Sequence, residues 1–249
     1  MKILAIDTSG QQAGAAIVDE YITIGEININ AHAANWHHSE RLMPAVDQLF
    51  ELMGMKLKDM DYIAYTAGPG SFTGLRIGAA AALGLARGAK LPCIPVPTLD
   101  ALAYNIGHTD SLIMPMMDAR GQQVYTAVYG WEQGKLRRKT DYLAIGLDEA
   151  LKSALKEIAP TGEANSQNID APGNSSVIFL GDGADAYKQE ILEIKPTALF
   201  AAQNANRQRA ASVGVSACAM IQEGFRPGNE VELLYVRKPQ AIRNKEGSS

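Results

Sequence analysis

The chain writes the same turn twice. Asp7, Gly10, Gln11 and Gln12 recur as Asp118, Gly121, Gln122 and Gln123, a constant offset of 111 (118 less 7), each time at the end of an apolar run. A second pair follows in nearly the same phase: TAGPGSFTG and FLGDGADAY set Gly68 and Gly70 against Gly181 and Gly183, an offset of 113. A period this long exceeds the units of solenoids, so it points to two duplicated domains. The 249 residues, 47% of them hydrophobic, can bury one large core or two modest ones. The break falls near Gly107 to Ser111, giving expected domains over residues 1–109 and 110–249.

Within the first unit, the short apolar runs KILAIDT, AGAAIVD and YITIGEI read as three antiparallel strands. Leu42, Val46, Leu49, Phe50 and Met53 then recur on one helix face that Gly54 is placed to end, and Pro44 belongs in its first turns or kinks it. A strand at DYIAYTAG, a glycine loop, a helix from about Leu75 to Arg87, a strand at CIPVP and a helix opened by Thr98 or Asp100 complete the unit. This alternation is that of an α/β protein with mixed sheets. The stretch from Ala159 to Ser176 is rich in Pro, Gly, Asn and Ser, which predicts a flexible surface loop, and the tail RNKEGSS is expected to fray.

Charge narrows the function classes. A net charge of −4 argues against a chain that grips a nucleic-acid backbone by itself. The basic run KLRRKTD, Lys135 to Asp141, is expected to decorate a strand edge or hairpin. Cys93 and Cys218 sit among apolar or small neighbours and fit a reducing cytoplasm. The opening MKILAIDTSG is too short an apolar run for secretion or a membrane span, so no membrane role is expected.

The glycine turns admit two readings. Asp7, Thr8, Ser9, Gly68 and Gly70, with Asp118, Gly181 and Gly183, could line a nucleotide cleft for ATP or ADP between related domains, because turns at strand ends gather backbone N–H groups and a helix start adds positive partial charge. Alternatively, Gly68 and Gly70 shape a turn around Pro69, and Ser71 or Thr73 caps the next helix. The loop is no Walker A motif, since no Gly-Lys-Ser/Thr follows.

The helix beyond it repeats small residues every four positions: Gly74, Gly78 and Ala82, then Gly84 and Gly88. Each glycine costs about 1 kcal/mol of helix propensity relative to alanine, so close packing must compensate. With Ala79, Leu83 and Ala86 on another side, the helix is apolar nearly all round and must be buried within the fold or against a second chain. Met43 and Leu52, off the main face of the preceding helix, widen that apolar surface. His32, His37 and His38 lie close together in sequence, but a spacing of five between His32 and His37 without a supporting cysteine is no zinc pattern, and no metal is expected. No spacing argues for a catalytic triad or a carboxylate pair.

In this order, ILAIDTS, HSERLMP, GPGSFTGLRIG, TLDALA, MDAR and LYVRKPQA resemble the bacterial tRNA threonylcarbamoyladenosine biosynthesis proteins TsaB, also called YeaZ. The resemblance implies the duplicated fold of actin, Hsp70 and sugar kinases (the ASKHA, ribonuclease H-like class). It also implies a cytoplasmic, noncatalytic subunit that forms a homodimer and pairs with the catalytic relative TsaD and the ATPase TsaE, meeting tRNA only through that complex. TsaD moves a threonylcarbamoyl group onto the adenosine beside the anticodon in tRNAs reading codons that begin with A. The His-x-x-x-His metal pair of TsaD is missing here, as is its Gly-Gly-x-x-x-Asn run, in whose place ASVGVSACA stands. Carried over by motif, the assembly helices are Ser39 to Met53 and Leu75 to Arg87, with His38, Leu42, Val46, Leu49, Arg76, Ala79, Ala82 and Leu83 as expected contacts. The competing class is a nucleotide-binding ATPase of the sugar-kinase type; a peptidase, an older reading of TsaD relatives, finds no nucleophile or metal here.

Overall fold

Two sheets of identical strand order carry the chain. The computed structural model describes residues 1–30, 38–158 and 176–236, without the side chains of 38–39 and 154–158. In the first sheet β1 (Lys2–Asp7), β2 (Gln12–Asp19), β3 (Ile22–Asn30), β4 (Tyr62–Gly68) and β5 (Cys93–Pro97) run in the order β3-β2-β1-β4-β5. The first three strands are antiparallel, while β4 and β5 join in parallel. The second sheet contains β6 (Leu112–Asp118), β7 (Gln123–Thr126), β10 (Leu143–Gly146), β11 (Val177–Leu180) and β12 (Leu199–Phe200) in the order β10-β7-β6-β11-β12, and β8 (Tyr129–Glu132) with β9 (Lys135–Arg138) forms a hairpin beside β6. The repeat in the sequence is therefore a repeat of topology, antiparallel meander first and parallel crossovers after.

Helices repeat in step. α1 (His38–Met53), α2 (Phe72–Ala89) and α3 (Thr98–Ala103) follow β3, β4 and β5. α4 (Leu147–Ile158), the short pair α5 (Asp182–Ala186) and α6 (Lys188–Ile194), and α7 (Ala210–Gln222) follow β10, β11 and β12. Alternation along β1 decides which helix meets which face. Leu4 and Ile6 point to one side, under Leu42, Val46 and Leu49 of α1 and Ala79, Ala82 and Ala86 of α2. Ile3 and Ala5 point to the other, under Ala210, Val213 and Ala217 of α7.

The last helix of each half is exchanged. α3 packs Leu99, Leu102 and Ala103 on Ile113, Met117 and Leu180 of the second sheet, whereas α7 covers the first. Both sheets are thus buried on two faces, which is why their central strands read as continuous apolar runs. A Cβ at Gly214 of α7 would stand 2.4 Å from Val18 Cγ2, so the small residues of ASVGVSACA serve close packing of α7 on β2. The strands divide on either side of Gly107 to Ser111, but α7 and the segment after it return to the first half. There Gly228 pairs with Cys93, and Leu234 N donates to Ala67 O over 2.7 Å. The buried Tyr65 hydroxyl donates to Glu232 O and accepts from Glu232 N. Burial pushes that phenol up to about 12.

Two local expectations change. α2 begins at Phe72, three residues before Leu75, with Ser71 as its cap. α3 is entered from Pro97 with no side-chain cap, because the Asp100 carboxylate instead accepts from the hydroxyls of Tyr129 (2.6 Å) and Tyr142 (2.8 Å). Pro44 lies inside α1, on its exposed side. The basic run does form a hairpin edge, and three of its four cations are matched: Arg137 with Glu223, Arg138 with Asp141 and Lys139 with Glu132. The loop expected from Ala159 to Ser176, up to residue 175, and the tail after 242 lie outside the described residues.

Candidate functional site

The first glycine turn is closed by its own domain. Asp7 is 3% exposed, and its Oδ1 accepts from Ser9 N (2.8 Å), Ser9 Oγ (2.7 Å) and Thr66 Oγ1 (3.1 Å). Thr8 Oγ1 donates to Gly74 O at 2.7 Å, and Ser71 N donates to Ser9 O at 2.7 Å. The glycines are what this contact requires. A Cβ at Gly70 would stand 2.5 Å from Ser9 O, one at Gly74 would stand 2.1 Å from Thr8 O, and one at Gly78 would stand 2.3 Å from Thr8 Oγ1. Gly68, at φ +119°, passes under the Leu234 carbonyl. The Ser71 hydroxyl accepts from Gly74 N, so the start of α2 is capped from within. Backbone of residues 8–9 fills the space between the turn and this helix start, where Ser9 O takes Ser71 N and the Ser71 hydroxyl takes Gly74 N. The residues expected at a nucleotide site in this half, Asp7, Thr8, Ser9, Gly68 and Gly70, are brought together, but as the packing contact of β1 with α2.

The second turn repeats the hydrogen bond and loses the closure. Asp118 Oδ1 accepts from Arg120 N at 2.8 Å, as Asp7 does from Ser9 N, but Asp118 is exposed. Phe179 stands where the first half has Thr66, 113 residues earlier, and offers no hydroxyl. Gly181 and Gly183 fold tightly against the Met116 and Met117 backbone, where a Cβ would stand 2.2 Å and 2.9 Å away. Burial pushes the Asp182 carboxyl up, although Asp118 N and Gly183 N both donate to it.

α2 carries two stripes of small residues, and they face opposite ways. Gly74, Gly78, Ala79, Ala82 and Ala86 are buried. Phe72, Arg76, Ala80, Gly84 and Gly88, every fourth residue, are exposed, and nothing lies within 4 Å of a Cβ built at Gly84 or Gly88. The expected contacts divide accordingly. Leu42, Val46, Leu49, Ala79 and Ala82 are 0–2% exposed in the chain's own core and present no surface, because the strongest apolar stripe of an amphipathic helix is the one its own sheet takes. Arg76 is exposed and Leu83 half-buried, while the His38 side chain lies outside the described residues.

The outer surface instead offers Met43 and Leu52 of α1, the latter 64% exposed, and Phe72 and Tyr235. Arg76 lies over the Phe72 ring, 3.6 Å from its centroid, and the Tyr235 ring is 6.3 Å from it. Continuing the four-residue spacing back from Gly88 finds Phe72 in the sequence; Tyr235 falls in the LYVRKPQA stretch, which gives no sign of its place beside Phe72. Among the described residues no three of His, Cys, Asp and Glu are grouped to hold a metal, and His32 and His37 lie outside them. No described helix is long and apolar enough to cross a membrane.

Comparison with known proteins bears on these features. Residues 27–244 match the family model TsaD: tRNA N6-adenosine threonylcarbamoyltransferase. The chain is 38% identical over 200 residues to the tRNA threonylcarbamoyladenosine biosynthesis protein TsaB of Bacillus subtilis (strain 168), covering 80% of this chain and 79% of that protein. It is 32% identical over 161 residues to the protein of the same description from Escherichia coli (strain K12), covering 64% and 68%. The solved structure of YeaZ from Pseudomonas aeruginosa superposes with a TM-score of 0.68 at 23% identity, over 94% of this chain and 99% of that one, and shares the fold.

Proposed function

The chain belongs to the TsaB (YeaZ) family, and on that premise we propose that it is a noncatalytic cytoplasmic subunit for threonylcarbamoyl modification of the adenosine beside the anticodon. It acts by docking a TsaD-type catalytic subunit, with a TsaE-type ATPase in the assembly and tRNA met only through the complex. The same surface supports a homodimer. One observation carries this reading: the outward stripe of α2 leaves Gly84 and Gly88 open, Phe72 at its start is exposed, and Met43 and Leu52 are exposed on α1. Open glycines let a foreign helix backbone approach closely, and the flanking apolar side chains are what such an approach would bury. The absence from the sequence of a His-x-x-x-His pair supports the noncatalytic part.

Gly84→Arg tests the proposal without disturbing the core, since the new side chain enters open space. The variant is expected to melt no lower than the parent, sediment as a monomer and lose its ability to sustain modification with TsaD-type and TsaE-type proteins. A variant that still pairs and still supports modification contradicts it. The ATPase alternative rests on the matched Asp7 and Asp118, yet the closed first turn speaks against it. Titration with magnesium and ATP decides: saturable heat that Asp118→Ala removes would revive it.

A further inference from the structure

We propose that the Asn105 carboxamide is a keystone that locks the two halves at one fixed angle. The chain passes between the halves twice: forward through α3 and the residues up to Leu112, and back through residues 201–209 into α7. Any hinge motion must slide one crossing past the other. Asn105 ties them together, because its Nδ2 donates to Ala205 O (2.8 Å) and Arg207 O (2.7 Å) while its Oδ1 accepts from Ser212 Oγ (2.5 Å) at the start of α7. Both donors and the acceptor of one amide are thereby used.

The segment so clamped reaches both glycine turns. Asn206, 3% exposed, accepts from Gly181 N at 2.7 Å and donates to Asp185 at 2.8 Å. Gln208, 4% exposed, wedges against the first turn, where a Cβ on Gly10 would stand 2.6 Å from its Oε1. Arg207 pairs with Asp185 in the second half, and Arg209 pairs with Glu26 in the first. Glu26 also accepts from Ala211 N, fixing the entry to α7. Opening the halves would strip buried Gly181 N of its acceptor and draw Gln208 out of its seat, losses that water inside the contact does not repay. The lock makes the two-domain chain one rigid body.

Nitroxide labels at Lys58→Cys and Glu190→Cys, both exposed and one in each half, test this by pulsed electron spin resonance, since native Cys93 and Cys218 are buried. One narrow distance peak is expected for the labelled parent, and Asn105→Ala should widen it about twofold. A broad or two-peaked parent distribution, or no widening in the variant, overturns the proposal. Should Asn105→Ala fail to fold, Asn105→Asp keeps the acceptor for Ser212 and removes both donors. In that variant the Gly181 and Ala211 amides should exchange with solvent roughly tenfold faster while the β1 amides are unchanged, the pattern of a local opening. Equal acceleration at all of them would show only general loss of stability and refute the lock.

Discussion

The two glycine turns share an ancestor pattern and a hydrogen bond, but only the first is sealed. Asp7 and Asp118 each accept from the N–H two residues on, yet Asp7 is buried under Thr66 and Ser9 and Asp118 stands in solvent. The difference follows from what comes next along the chain. After β4, Gly70 and the 18-residue α2, through Gly74 and Gly78, lie on the turn itself, whereas after β11 Gly181 and Gly183 at the start of the 5-residue α5 lie on Met116 and Met117, just before the turn. Sealing the first turn fixes α2 rigidly on its inner side. Its outer side is left free.

Substitutions at neighbouring positions give the sharpest form of that contrast. Ala79→Arg would bury an unpaired charge at a 2% exposed site and is expected to cost about 3–5 kcal/mol, read as a lowered midpoint in a urea titration. Ala80→Arg, one residue on, should leave the urea midpoint unchanged and abolish association. Next comes the seal itself. Gly74→Ala meets the Thr8 carbonyl and should destabilise by about 2–3 kcal/mol, whereas Gly84→Ala should stabilise by roughly 1 kcal/mol through helix propensity.

The paired aspartates are expected to differ more modestly. Asp7→Ala leaves Ser9 and Thr66 donors buried without an acceptor and should cost about 2–3 kcal/mol; Asp118→Ala, exposed, should cost no more than about 0.5 kcal/mol. Equal losses would erase the distinction between the turns. The smallest effect concerns α3 and the second half. Burial pushes the Asp100 carboxyl above its ordinary 3.8, against the hydrogen bonds from Tyr129 and Tyr142. A carboxyl raised in the folded state favours folding most below its unfolded value and loses that contribution as pH rises through the folded one. The stability of the parent relative to Asp100→Asn should therefore fall in thermal melts as pH rises above the ordinary carboxyl value. A difference that grows with pH contradicts that environment.

Much of this architecture could be read before any coordinates. The offsets of 111 and 113 marked the duplication because a turn with special backbone needs tolerates few residues, so Asp-x-x-Gly and Gly-x-Gly persisted in both halves. Strand and helix positions in the first half followed from period-two and helical spacing. The facing of α2 did not, since glycine and alanine occupy both of its sides and carry too little hydrophobic contrast to choose between them. Only the fit of Gly74 and Gly78 to Thr8, a contact across 66 residues, settles it. Leu42 and Ala79, expected contacts carried over by motif, are buried in the chain's own core. The exchange of α3 and α7 and the clamp at Asn105 depend on partners about a hundred residues away, and their polar side chains look like ordinary loop composition.

Modification of a cysteine placed at Gly84 asks most directly whether the outward side of α2 meets a partner. In Gly84→Cys, reaction with a maleimide should be fast in the isolated, dilute chain and be blocked when a TsaD-type subunit is added, while a cysteine at Lys58 reacts at the same rate throughout. Undiminished labelling at position 84 in a complex shown by sedimentation to have formed would place the partner elsewhere and contradict the account.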